Sequence, residues 1–287
     1  MTKKIAFCSF GRSSQQSLTR FARLTPGSSG VWNDIVGTDD PSHADYFVIM
    51  GNQSLKHFQC GNQYIDPQRA IQFRREPDVI QKFVSSKAKY QIDYAGEGYH
   101  AAVWFIEKPF EVLANMAYPQ KNKRASAISS AKHQHRNRFL RSVYDADSRE
   151  LIDFFGRGLG TILGDRKDRS NYKGQFNYNK NCKFNGLHDY AYSIAVENSS
   201  QQNYFTEKIA DCFLSWTMPL YWGCPNISDY FPEHSYYQLD LDRPEDIAEI
   251  ITRPIEKKHI DAMREARELV LYKYNLWPTI EKVLNEH

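Results

Sequence analysis

Three residues in succession, Thr206, Glu207 and Lys208, follow a polar run at 197–203 and precede an apolar, periodic segment. A threonine in that place suits an N-cap, and a glutamate suits the first turn of a helix. A helix N-terminus offers free backbone N–H groups and a partial positive charge, the chemistry that receives a phosphate. Lys208 adds a full charge, and Glu207 can accept two hydroxyls, as a ribose would offer. Together they would suit a nucleoside diphosphate. A capped helix with a solvated Glu–Lys pair has the same composition, because charged first turns are common.

The flanking elements say where this chemistry would sit. Tyr192, Ile194 and Val196 alternate with smaller residues, the period-2 signal of a strand. Glu197, Asn198, Ser199, Ser200, Gln201, Gln202 and Asn203 cannot form a core and must be a loop. Phe205, Ile209, Cys212, Phe213 and Trp216 recur at helical spacing, and 218–222 is a second apolar run closed by Gly223. The unit is βαβ, so its two strands should be parallel. Ligands of such sheets lie beyond the carboxyl ends of the strands, where the polar loop and the helix start fall.

The stretch 196–223 resembles the donor-binding signature of the family 10 glycosyltransferases, the α-1,3/1,4-fucosyltransferases. The resemblance rests on Glu197-Asn198-Ser199, on Tyr204-Phe205-Thr206-Glu207-Lys208 and on Pro219-Leu220-Tyr221-Trp222-Gly223. Two further segments widen it: 151–156 (LIDFFG), and Ser129-Ser130 followed by Arg136-Asn137-Arg138-Phe139. The match is good over 121–240 and loose over 69–100, and the first 65 residues resemble nothing specific.

What the resemblance implies is an α/β protein of GT-B architecture, two Rossmann-like domains facing each other across a cleft. The acceptor-side domain would span 1–115 and the donor-binding domain 116–287. The implied reaction is inverting transfer of fucose from GDP-fucose to a hydroxyl of an N-acetylglucosamine or glucose residue in a glycan. Residue by residue it implies that Arg136 contacts the donor pyrophosphate, with Arg138 as the adjacent alternative because the usual Asn after Ser129 is missing. Glu207 would hold the ribose and Tyr204 the donor. Asn198 would fix the loop or touch the donor, and Glu197 would contact the sugar or stay structural. The alternatives are a transferase of another nucleotide sugar on the same scaffold, or a glycan- or nucleotide-binding protein without catalysis.

An inverting transfer needs a base for the acceptor hydroxyl and positive charge for the departing diphosphate. Arg136 and Lys208 supply the charge, and guanidinium forks well onto phosphate oxygens. The base should be a carboxylate of the first domain. Glu76 follows the apolar strand 70–73 and precedes Pro77, which places it at a carboxyl edge. Glu97, in Ala95-Gly96-Glu97-Gly98, competes with it, and a solvated loop carboxylate would look the same in either place.

Composition limits the other readings. The 287 residues are 41% hydrophobic and 25% charged, ordinary for a globular chain long enough for two α/β domains. A net charge of +3 is too small to argue for nucleic acid, and it is compatible with an anionic substrate or weak attraction to a lipid surface. Five scattered cysteines without a C-x-x-C fit a reducing compartment, and no apolar run approaches a membrane span. The chain would thus be cytoplasmic, at most peripherally associated with a membrane, with a nucleotide-sugar donor and a glycan acceptor as its partners. No cofactor or essential metal is expected: Asp145-Ala146-Asp147 and Asp240-Leu241-Asp242 are literal D-x-D triplets, but neither lies beside the donor loop.

Elsewhere the pattern predicts strands at 4–10, 44–50, 70–73, 90–94, 124–129, 151–155 and 236–241, and helices at 17–24, 78–83, 136–144, 244–252 and 260–271. A long polar loop should fill 164–186, and Trp277-Pro278 should break the pattern before a short final helix.

Overall fold

The computed structural model describes residues 2–9, 11–58, 60–76, 87–92, 103–164, 170–176 and 182–286. Two sheets organise them. The first contains β1 (Lys3–Cys8), β2 (Val31–Trp32), β3 (Ile35–Gly37), β4 (Tyr46–Met50), β5 (Ala70–Phe73) and β6 (Tyr90–Ile92), in the order β2-β3-β1-β4-β5-β6. All neighbours are parallel except the β2–β3 pair. The second contains β7 (Lys123–Ile128), β8 (Ile152–Phe155), β9 (Tyr190–Val196), β10 (Met218–Trp222) and β11 (Tyr237–Gln238), ordered β11-β10-β9-β7-β8 and wholly parallel.

The helices are α1 (Ser14–Ala22), α2 (Phe110–Asn115), α3 (Gln134–Ala146), α4 (Leu159–Leu163), α5 (Asn185–His188), α6 (Glu207–Leu214), α7 (Asp246–Ile250), α8 (Lys257–Tyr272) and α9 (Leu276–Glu286). All seven residues of β9 are buried, as a central strand covered on both faces requires. In the second sheet the chain passes from β7 outward to β8 and returns to β9 on the other side of β7. The gap between the carboxyl ends of β7 and β9 is therefore a topological switch point, where α/β sheets receive ligands.

Four sequence expectations need correction. The helix expected from 17 begins at Ser14, because Ser13 caps it: Gln16 donates its N–H to the Ser13 hydroxyl and its side chain accepts the Ser13 N–H, both at 3.1 Å. Phe205 and Trp216 lie outside α6, whose N-cap is Thr206 and whose C-cap is Ser215. The last strand is only Tyr237–Gln238, since Asp240 turns the chain by accepting the Asp242 N–H. Pro278 does not break the final helix but sits in its first turn, where a missing N–H costs no intrahelical bond. The helix expected at 78–83 lies outside the described residues.

The last helices tie the two halves together. Trp277 is fully buried, meets Phe7 edge-to-face at 5.4 Å and donates its indole N–H to Phe21 O at 2.9 Å. On α8, Arg267 donates to Phe213 O at 2.9 Å and to Leu113 O at 2.5 Å, joining the end of α6 to α2. Among the described residues no helix is long and apolar enough to cross a membrane.

Candidate active site

The two carboxyl edges meet at Glu76. It follows β5 and belongs to a turn held from beneath by Asn52, which is buried just beyond β4. The Asn52 amide donates to Glu76 O at 2.7 Å, and its oxygen accepts the N–H groups of Arg75 at 2.9 Å and Glu76 at 3.3 Å. From the opposite domain, the Asn198 amide and the Tyr204 hydroxyl donate to one Glu76 oxygen, Oε2, at 3.2 and 3.3 Å. Burial and the charges of Glu197 and Glu76 push the Tyr204 phenol far above its ordinary pKa, so it stays a donor. Oε1 of Glu76 has no hydrogen-bond partner among the described residues, which leaves one lone-pair face open.

The polar loop after β9 is built on Glu197. It leaves β9 with its N–H bonded to Trp222 O at 2.9 Å, and its side chain is fully buried. Oε1 accepts the Thr206 N–H at 2.8 Å; Oε2 accepts the Thr206 hydroxyl at 2.7 Å and Lys208 Nζ at 3.0 Å. Glycine is required opposite it: a Cβ at Gly223, whose φ is +157°, would stand 2.4 Å from Glu197 Cγ. Burial opposes the Lys208 charge, but Glu197 and Glu207 outweigh it and hold the ammonium above its ordinary pKa. Lys208 also lies 3.5 Å from Glu207 Oε1.

Arg136 comes from α3 and reaches the switch point. Only 5% exposed, it donates to Val196 O at 3.3 Å, Asn198 Oδ1 at 3.1 Å and Ser130 O at 3.4 Å, so it touches the ends of both β7 and β9. Its Nε is buried without a partner. Arg138, one residue pair along the helix, is exposed.

The structure thus brings Glu76, Arg136, Glu197, Asn198, Tyr204, Glu207 and Lys208 into one cluster. Glu197 and Tyr204 are buried with their polar atoms already engaged, Glu197 by Thr206 and Lys208 and Tyr204 by Glu76, which suits the structural alternative for Glu197. Glu97 lies outside the described residues. Of the D-x-D triplets, Asp147 is buried and accepts the N–H groups of Leu151 and Ile152, while Asp145 pairs with Arg141.

Three members escaped the sequence reading. Asn52 had only the signal of a polar residue after an apolar strand. Lys183 sits in a polar loop without periodicity, yet its ammonium meets Asp211 of α6 at 2.8 Å. Asp211 is fully buried within the apolar helical run, and it also accepts the Phe105 N–H at 3.1 Å. Burial pushes Asp211 up to about 6 against the pull of Lys183.

Burial would raise Glu207 as well, but Lys208, Lys183 and Arg75 outweigh it and hold its carboxyl down at about 2. Because the folded value lies below the unfolded one, Glu207 stabilises the fold at pH above its unfolded pKa, and that stability is lost as pH falls towards about 2. The shift corresponds to about 3 kcal/mol. In acid titrations followed by denaturant unfolding, Glu207→Gln should flatten the stability loss between about pH 4 and pH 2. An unchanged slope would place the titrating group elsewhere.

Two parallel sheets with facing carboxyl edges, joined at a carboxylate and a helix N-terminus, define a GT-B glycosyltransferase fold. Solved structures agree on the fold. A crystal structure of an alpha1,3-fucosyltransferase superposes with a TM-score of 0.51 at 14% identity, covering 99% of this chain and 90% of that one. A DNA-modifying beta-glucosyltransferase gives a TM-score of 0.58 at 10% identity, covering 98% and 99%.

Residues 118–259 match the C-terminal domain of glycosyltransferase family 10 (fucosyltransferase), and that part of the chain is identified with the family. Among curated relatives, an alpha-(1,3)-fucosyltransferase of Helicobacter pylori is 36% identical over 62 residues, 22% of this chain and 13% of that protein. An alpha-(1,4)-fucosyltransferase of Arabidopsis thaliana is 28% identical over 163 residues, 53% of this chain and 37% of that protein. The matched stretches thus span well under half of either relative.

Proposed function

We propose that this protein transfers fucose from GDP-fucose to a hydroxyl of an N-acetylglucosamine or glucose residue in a glycan, with inversion at the anomeric carbon. The observation that carries the reading is the grip of Asn198 and Tyr204, both in the donor loop, on a single oxygen of Glu76. A carboxylate fixed at one oxygen and open at the other, on the domain opposite the donor, suits a general base. Glu76 takes the acceptor hydroxyl proton, the acceptor oxygen bonds to the anomeric carbon, and the bond to the β-phosphate oxygen breaks.

The departing GDP is met by cations. The otherwise unpartnered Nε of Arg136, Lys208 and the α6 N-terminus provide positive potential at the switch point. Glu207, ionised at any physiological pH, accepts the ribose hydroxyls. The reading needs no metal on the diphosphate. The family membership of residues 118–259 supports a fucosyl donor, and the α-1,3 or α-1,4 linkage remains part of the proposal because relatives of both kinds match.

Thermal unfolding with GDP, GDP-fucose, UDP and CMP tests the donor. A ligand at a hundred times its dissociation constant should add about 2.7 kcal/mol of stability. GDP and GDP-fucose should raise Tm, and radiolabelled fucose should then pass to a glycan acceptor. A shift with UDP or CMP alone would discard GDP-fucose.

A further inference from the structure

We propose that Asn198 is a positioning residue that couples the two halves of the site: it passes the occupancy of Arg136 by the donor diphosphate across the cleft to Glu76, so that the base is held firmly only over a loaded donor. The inference rests on the preceding reading of the cleft and adds the regulation of its base.

One side-chain amide joins two groups of opposite charge. Arg136 Nη1 donates to Asn198 Oδ1 at 3.1 Å, and Asn198 Nδ2 donates to Glu76 Oε2 at 3.2 Å. The orientation of the amide follows from its neighbours. Turned over, its NH2 group would face a guanidinium, which only donates, and its oxygen would face a carboxylate. Arg136 stands on α3 of the second sheet and Glu76 follows β5 of the first, so the amide bridges the two.

The Arg136 end can respond to an anion. Both hydrogens of Nη1 are used, on Val196 O at 3.3 Å and on Asn198 Oδ1. Nη2 gives one hydrogen to Ser130 O at 3.4 Å, and Nε is buried without a partner. The Nε–H and one Nη2–H thus remain for phosphate oxygens while Nη1 keeps Asn198. Among the described residues Arg136 makes no ion pair. It is a cation only 5% exposed that is served by neutral oxygens, and such a charge is poorly compensated until an anion arrives.

The Glu76 end can receive the effect. Its own domain holds its backbone, through Asn52, but among the described residues its carboxylate is bonded only from the other domain. The bonds of Arg136 lie at the long end of the usual N–H···O range, so the chain of contacts is loose in the empty site. A diphosphate on the guanidinium would stop it from trading acceptors and so fix Asn198 Oδ1. Ordering one group lowers the cost of ordering the next, which carries the effect to Glu76.

Hydrogen exchange of the full chain, with and without saturating GDP, tests the coupling. In the wild type GDP should slow exchange in the first turn of α6. It should also slow exchange at Arg75 and Glu76, whose N–H groups rest on Asn52 in the opposite domain, by at least about threefold. In Asn198→Ala the first effect should remain and the second should vanish. Glu76→Ala cuts the chain from its other end and should give the same result, which keeps the test decisive if the first variant does not fold. A merely structural Asn198 would behave differently: its variant would exchange faster after β9 with or without GDP, and the response at 75–76 would stay. Protection of that turn that survives either variant overturns the proposal, as does its absence in a wild type whose α6 responds. So does failure of folded Asn198→Ala to bind GDP, which would make Asn198 a donor contact. Failure of the wild type to bind GDP sinks the donor reading instead.

Discussion

Glu76→Gln should lower the transfer rate constant by about a hundredfold to ten-thousandfold, the usual contribution of a general base. The substitution keeps the shape of the side chain. Its amide oxygen can still accept from Asn198 Nδ2 and the Tyr204 hydroxyl, now 3.2 and 3.3 Å from Oε2. Its backbone stays tied to Asn52, so the turn should hold. What disappears is the basic lone pair at the open oxygen. The loss should therefore fall on kcat, while the affinity for GDP, measured by calorimetry, stays within about twofold of wild type because no donor contact changes. Full activity in Glu76→Gln together with a dead Glu97→Gln would move the base to the other carboxylate.

Much of this site was legible because it lies on one short βαβ unit. The alternation at Tyr192, Ile194 and Val196 and the helical spacing of Ile209, Cys212 and Phe213 are local signals, and they fixed β9 and α6 with their polar junction. Thr206 as N-cap was legible for the same reason, since capping is a contact of neighbours in sequence. Partnerships across the chain were not. Glu76 and Tyr204 are separated by 128 positions, and nothing in either neighbourhood encodes their contact. Asn52 reads as a strand terminator, and only the parallel pairing of β4 with β5 reveals that it supports the Glu76 turn.

The same distinction explains the misread ends of elements. Tyr236 to Leu241 alternates well enough for a strand, but β11 is an edge strand paired only to β10, and Asp240 ends it early. Pro278 reads as a breaker unless its distance from the helix start is known, and that start is set by Asn275, whose carbonyl accepts the Thr279 N–H at 3.3 Å. Asn275 is itself fixed by a contact distant in sequence, donating to Leu24 O at 2.7 Å.

Glu197→Ala should destabilise the protein by about 2 to 3 kcal/mol: it takes the nearer carboxylate from a buried ion pair, and Glu207, 3.5 Å from Lys208, remains as partial counter-charge. Glu197 is fully buried, and the side chain of Lys208 is only 17% exposed, so water cannot replace the lost carboxylate readily. The Thr206 N–H and hydroxyl lose their acceptors at the same time, loosening the first turn of α6. Denaturant unfolding would read the loss, and a change below about 0.5 kcal/mol, typical of a surface substitution, would show that the pair holds nothing together. A purely structural role and a positioning role separate in a second variant. Glu197→Gln with Lys208→Met removes the ammonium that lost its nearer carboxylate, and it should recover part of the stability, the rest being lost with the Lys208–Glu207 contact. It should not recover GDP affinity, because the ammonium that Glu197 holds at the head of α6 is gone. If the double variant binds GDP like wild type, Lys208 makes no donor contact and Glu197 serves the fold alone. If Glu197→Gln by itself lowers GDP affinity without a comparable loss of stability, the carboxylate acts through the placement of Lys208.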